Sequence, residues 1–447
     1  MSRRQFGVGL GVVGAMAVGA CAPSSGSAPQ PSSTSAAKVD ISGDPPVTLK
    51  FLDYSGGNDA KYMLTAIAQF QARHPNVRIA RTAQSFDQVL STLNLRLADK
   101  DGPDVAAINN GWQSMGTLAK GGLIRNLDGY ADAYGWRKQI PPTVLREHLF
   151  TTDGKTMGEG SLWGTTGARL TTVGLYYNTK MLTAAGISPP DSLDAFEAAC
   201  AKIKAAGGVP IVAGTQEKTF ATNPLFAVQA MLGAKKSIAD FVYRAGQVTL
   251  ADTGMTSAAQ KIQQWSRAGY FNPDAAGLAF ESGRTAFIKG RGVFHFDYSG
   301  SLAQPGVDAK SFARLQFPQP SGGGQVAVGA PSEVFGISAR TRYPDAAAAF
   351  LDFLQSAPMN QLAVDSGMLP LDAAGTKAPA GTVFATEVSQ TDVVAAADGF
   401  VPFFDWASPN MLDIVGGQTQ LLLAGRTTPD QLVSAGQADY DQFHATT

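Results

Sequence analysis

Between Val47 and Ile108 the hydrophobic period switches repeatedly, and this alternation restricts the possible fold more than any other stretch of the chain. Val47 to Leu52 alternates and then runs apolar, which reads as a strand. Ala60, Met63, Leu64, Ile67 and Ala68 then recur at helical spacing on one face, and the helix closes near His74-Pro75 because proline disfavours helix in the residue before it. Val77 to Ala80 is a second strand, Gln88 to Ala98 a second helix with Val89, Leu93 and Leu97 in register, and Asp104 to Ile108 a third strand. Strands joined through single helices by short connections form a parallel sheet wrapped by helices, so the fold class is α/β. Ligands of such sheets sit beyond the carboxyl ends of the strands. The polar loops 53–59 and 109–112 share that edge, making Tyr54, Asn58, Asp59, Asn110 and Trp112 candidate cleft residues.

A second unit follows Trp163. Val173 to Asn178 reads as a strand, and Ser192 is placed to cap a helix whose apolar face carries Leu193, Phe196, Cys200 and Ile203. Cys200 is therefore expected as a small buried hydrophobe. Val209 to Val212 returns as a strand, followed by the loop Thr215 to Phe220. Strand character resumes at Gly292 to Phe296, ahead of the loop Asp297 to Gly300, and again at Val334 to Ser338. Pro344 opens a helix, and the remaining chain is mainly helical around an aromatic loop, Phe400 to Trp406. The roughly 400 residues after Pro45 exceed what one core usually supports, so two lobes are expected.

The amino terminus bears on location. Arg3-Arg4 with Phe6, the apolar run Gly7 to Gly19 and Ala20-Cys21 describe an export signal too short to span a bilayer. The paired arginines resemble a twin-arginine signal, and Val18-Gly19-Ala20-Cys21 resembles a bacterial lipobox. Residues 1–21 are thus expected to be a leader, Cys21 the lipidated residue, and acyl chains the only link to the membrane, at the outer face of the cytoplasmic membrane. Residues 22–45, rich in Ser, Pro, Gly and Ala, read as a flexible tether.

A formal net charge of -1 gives no reason to expect nucleic acid as a partner. With Cys21 assigned to lipid, Cys200 has no partner for a disulfide, and four scattered histidines offer no metal-ligand spacing. The chain lacks CxxC, HExxH, GxGxxG, P-loop and GxSxG motifs. Weight moves toward binding, with no cofactor, metal or catalytic residue expected.

Four stretches carry a resemblance: Phe70 to Val77; Leu175 to Leu182 with Ala185-Gly186-Ile187; Phe287 to Gly292; and Ala346 to Leu354 with Ser366 to Pro370. In order and spacing the chain resembles the extracellular solute-binding proteins of ABC importers, in the carbohydrate-binding family that includes maltose-binding protein. The resemblance implies a monomer of the two-lobe periplasmic type II fold, closing about a hinge on a sugar and delivering it to a membrane permease. Transferred here, lobe one would comprise 46–165 and 293–357, and lobe two 166–292 and 358–447. Crossings would fall near Thr165 to Leu170, Arg291 to Phe296 and Ala357.

The resemblance also points to sugar contacts at Asn58, Asp59, Asn110, Trp112, Glu217, Phe220, Tyr298 and Trp406. Arg169 departs from the family pattern and stands as a cationic candidate at the hinge. Asp297, Glu333 and Asp405 read either as ligand contacts or as ion-pair partners. Two rivals are kept: an anionic solute such as a glycerophosphodiester held by Arg169 and Arg284, and a secreted glycoside hydrolase using two of Asp59, Glu217, Asp297, Glu333 and Asp405.

Overall fold

The computed structural model describes residues 37–232, 235–315, 325–331, 333–373 and 375–445. The leader, Cys21 and most of the expected tether lie outside the described residues. In chain order the strands are β1 (Val47–Asp53), β2 (Val77–Ala83), β3 (Val105–Ile108), β4 (Leu149–Phe150), β5 (Ser161–Leu162), β6 (Thr165–Thr166), β7 (Arg169–Asn178), β8 (Ile211–Val212), β9 (Phe294–Tyr298), β10 (Phe312–Leu315), β11 (Ala327–Pro331), β12 (Val334–Ile337), β13 (Leu369–Pro370) and β14 (Phe400–Val401).

They build two sheets and a short hairpin, β4–β5. The first sheet runs β2-β1-β3-β12-β6, with β1 parallel to β2 and β3, and β12 antiparallel to β3 and β6. The parallel part follows the alternation in the sequence. Helix Gly57–Arg73 and helix Pro344–Gln355 cover one face, where Phe350 meets Phe51 at 5.3 Å and Phe70 at 5.1 Å between ring centroids. The second sheet runs β14-β11-β7-β9-β8, with β10 and β13 also pairing with β7. Helix Leu193–Ala205 packs on it through Phe196, 4.9 Å from Phe294 and 5.2 Å from Trp265. Ser192 caps this helix through the Ala195 N–H, and Cys200 is buried in its core, where burial pushes the thiol up.

The chain passes between the sheets from β6 to β7 at Gly167–Ala168, between β11 and β12, and between helix Ala357–Asp365 and β13. β9 does not return to the first sheet: it pairs antiparallel with β7, Val173 opposite Tyr298 through Tyr177 opposite Phe294, and parallel with β8. Residues from 293 to β11 therefore belong with the second sheet, and the assignment of all of 293–357 to lobe one is corrected; the return falls just before Val334. Hydrophobic period reveals a strand but not its partners, which lie far away in sequence. The third crossing likewise falls after Asp365 rather than near Ala357, since helix Ala357–Asp365 still packs on helix Gly57–Arg73.

Two smaller expectations change. The stretch Asp53 to Asp59 is not all loop: the helix begins at Gly57, whose φ of 51° suits a residue without Cβ, so Asn58 and Asp59 fall in its first turn. The end of the supposed tether is seated on lobe one, with Ile41 only 1% exposed and Asn76 Nδ2 donating to the Ile41 carbonyl at 2.8 Å.

Candidate ligand-binding site

Between the sheets lies a cavity of about 720 Å³. Lobe one contributes Tyr54, Gly56, Gly57, Asp59, Phe86 and Asn109, from the carboxyl ends of β1 and β3 and the helices that follow β1 and β2. Lobe two supplies most of the aromatic surface. Phe220 stacks on Phe280 at 4.4 Å with planes 13° apart, and Tyr298 stands edge-on to both at 6.2 Å. Phe403 lies 5.5 Å from Trp406 and 4.8 Å from Phe226. Tyr54 and Phe86 form a T-shaped pair at 5.1 Å on the opposite wall. Thr219 Oγ1 reaches Asp87 Oδ1 at 3.5 Å, and the Trp112 N–H donates to the Trp406 carbonyl at 2.9 Å, so the lobes also touch away from the crossings.

The charged groups are arranged in two clusters and one isolated carboxyl. Arg284 Nε and Nη2 donate to Asp297 at 2.7 and 2.8 Å, and Nη1 donates to Glu281 at 2.6 Å. Burial would raise the Asp297 carboxyl, but Arg284 outweighs it and holds Asp297 well below the usual carboxylate range. At the crossings, Arg169 pairs with Glu333, lies 3.6 Å from Asp59, and directs Nη1 toward the Met368 sulfur at 3.3 Å. Ser55 Oγ donates to the Glu333 carboxylate at 2.7 Å. Burial works against the Arg169 charge, yet Glu333 and Asp59 prevail and raise its pKa; burial also raises the Glu333 carboxyl, and Arg169 opposes that rise. The third group, Asp405, is 4% exposed, and burial pushes its pKa up to about 7.

Of the residues expected from the sequence, Tyr54, Asp59, Phe220, Tyr298, Asp405 and Trp406 line the cavity together. Several do not, and each is held elsewhere. Asn110 is buried beside His148 and Glu147, its Oδ1 3.2 Å from His148 Nδ1. Trp112 is buried in the core between Phe150 and Phe443, at 4.9 and 5.1 Å. Glu217 accepts the Phe280 N–H at 3.0 Å and so positions the stacked ring instead of facing the cavity. Arg169 and Glu333 are buried at the crossings, and Asp297 sits behind Arg284. Asn58 is in the first helical turn, with its side chain outside the described residues.

Phe86, Phe226, Phe280 and Phe403 also line the cavity and were not among the expected site residues. Phe403 lies inside the aromatic loop noted in the sequence. Phe280 and Arg284 are four residues apart on helix Phe280–Ile288, a spacing that puts both on one face. Among the described residues no group of three or more His, Cys, Asp or Glu side chains is placed to hold a metal ion, and no helix is long and apolar enough to cross a membrane.

A protein of Brucella abortus (strain 2308), named as a binding protein, is 27% identical over 227 residues, covering 50% of this chain and 50% of that protein. The chain thus spans about half the length of the curated relatives it matches. Among solved structures, a chitin oligosaccharide binding protein superposes with a TM-score of 0.74 at 20% identity, over 90% of this chain and 99% of that one. The binding protein RafE in complex with raffinose superposes with a TM-score of 0.69 at 18% identity, over 89% and 100%. At these identities the likeness establishes the two-lobe type II fold. Residues 54–361 match the family described as bacterial extracellular solute-binding protein, and the chain belongs to that family, which is one of binding proteins and not of enzymes.

Proposed function

We propose that this chain captures a sugar or oligosaccharide outside the cell and delivers it to the membrane permease of an ABC importer. The observation that carries the reading is the pairing of stacked aromatic faces with planar polar groups in one interlobe cavity. The Phe220–Phe280 stack, Tyr298 and Trp406 offer flat surfaces to the CH face of a pyranose, while Asp59, Arg284 and Asp405 meet its hydroxyl rim. Chitin oligosaccharide and raffinose in the structural neighbours fit the same chemistry. We further propose attachment through lipid at Cys21 to the outer face of the cytoplasmic membrane, and a monomeric working form.

The anionic-solute alternative loses its support because both arginines are already neutralised, Arg169 by Glu333 and Asp59, Arg284 by Asp297 and Glu281. Among the described residues the cavity lining carries three carboxyl groups, Asp59, Glu281 and Asp405, against the single guanidinium of Arg284, a balance unfavourable to anions. A hydrolase would need a free carboxylate pair; Asp297, Glu333 and Glu217 are engaged by protein donors and Asp59 is ion-paired with Arg169, which leaves Asp405 without a second carboxylate.

A thermal-shift screen of the chain from Ala22 onward against mono-, di- and oligosaccharides tests the proposal. A ligand at a hundredfold over its dissociation constant adds about 2.7 kcal/mol of stability. A sugar-induced shift that Trp406→Ala or Tyr298→Ala abolishes supports it; stabilisation by phosphodiesters alone overturns it.

A further inference from the structure

Asp405 differs from every other charged group of the cleft. It lies on the turn Phe404–Ala407, lines the cavity at 4% exposure, and its Oδ1 has no hydrogen-bond partner among the described residues. Among the described residues no cation pairs with its carboxylate, and its own backbone amide is what favours the ionised form. Arg284, the one cation in the lining among the described residues, spends three nitrogens on Asp297 and Glu281. A buried carboxylate without a counter-charge is costly, and folds retain such groups where something else completes them.

The surroundings narrow what that something is. Trp406 is the next residue in the chain and lines the same cavity, Phe403 lies 5.5 Å from Trp406, and Phe226 packs 4.8 Å from Phe403. Tyr298 is also near, and Asp405 contributes to the rise of its phenol above the ordinary value, after burial. Aromatic faces carry partial negative charge and attract cations, most strongly when water is excluded. A neutral hydroxyl gives Oδ1 one hydrogen bond but leaves the buried charge uncompensated. An ammonium supplies the charge, three N–H donors and a cation for the rings.

We propose that the Asp405 end of the cleft is an ammonium subsite, and that the saccharide it selects carries a protonated amine. This rests on the saccharide reading above and narrows its ligand class to amino sugars. The amine pairs with the Asp405 carboxylate at the end of the cavity that Trp406 and Phe403 also line, while the stacked Phe220 and Phe280 take ring faces further along. No covalent step is involved.

The test is calorimetric titration of the chain from Ala22 onward with matched pairs differing only in an amine for a hydroxyl: glucosamine oligomers against the corresponding cello-oligosaccharides. At pH 7 at least one amine member binds about tenfold or more tightly than its neutral counterpart. Asp405→Asn weakens the amine member far more than the neutral one and removes the preference. Should that variant fail to fold, the wild-type pH series decides. Between pH 7 and 5.5 Asp405 takes up its proton, so the amine affinity falls while the neutral affinity does not follow it; Tyr298 stays protonated throughout. Neutral members binding as tightly as the amines, or a preference surviving Asp405→Asn, overturns the ammonium subsite and leaves the saccharide reading intact. Failure of every member of both series counts against both readings.

Discussion

The guanidinium of Arg169 and the carboxylate of Glu333 form an ion pair with both side chains 1% exposed, joining the first crossing between the lobes to the second. The same guanidinium reaches the Met368 sulfur at the third crossing, and its face lies 4.6 Å from the Tyr62 ring. All three connections therefore meet on one side chain.

Breaking this pair from one side should be severe. Glu333→Gln leaves the Arg169 charge buried with Asp59 at 3.6 Å as its remaining ion-pair partner among the described residues, and a loss of about 3–5 kcal/mol in urea unfolding is expected. Replacing both partners, Arg169→Met with Glu333→Leu, should recover much of that loss, because no uncompensated charge remains. A double variant as unstable as the single one would place the cost in packing instead.

Asp405 should make the ligand-free protein less stable as pH rises. Its folded pKa of about 7 lies above the ordinary value of 3.8, so between these values the folded state binds more protons than the unfolded state. The contribution of this group is most favourable below pH 4, declines through the window and is fully unfavourable above 7. Asp405→Asn should therefore raise the apo melting temperature at pH 8, by up to about 4 kcal/mol of stability, and hardly change it at pH 4. Melting curves at the two pH values check the sign.

Gly111 packs directly against Trp406. Its φ is 70°, and a Cβ there would stand 2.2 Å from Trp406 Cβ and 2.6 Å from its Cα. Gly111→Ala should cost about 2–3 kcal/mol and displace Trp406 from the cavity wall, lowering sugar affinity. Tryptophan fluorescence and calorimetry would register both effects; an unchanged affinity would remove Trp406 from the ligand surface.

Phe220→Ala removes one face of the Phe220–Phe280 stack without touching a charge. Saccharide affinity should fall about tenfold, consistent with stacking energies of 0.5–1.5 kcal/mol plus the lost area. The unfolding midpoint should shift little, since Phe220 is partly exposed.

Local patterns in the sequence reveal most elements and fewer of their partners. The period of Ala60 to Ala68 and the cap at Ser192 are short-range signals, and both elements appear where the pattern places them. β9 was legible as a strand but not as a neighbour of β7, because that pairing joins residues more than a hundred positions apart. The site divides in the same way. Trp406 and Asp405 stand in a loop whose density of aromatic residues has no helical or strand period to account for it. Trp112 looks equivalent, yet its ring is occupied by Phe443, a contact that depends on how the last helix folds back. Phe86 and Phe280 open helices, where an aromatic residue ordinarily signals core packing, so nothing local marks them as facing a cavity.

Ile41 fixes the place where the chain enters the folded body. It is buried in the first lobe, and residues 38 and 76 tie the same stretch to that lobe through Asp345 and the Ile41 carbonyl. Under the lipid attachment proposed at Cys21, a pull from upstream would reach lobe one first, so lobe one would be the tethered half and lobe two the half free to move against it.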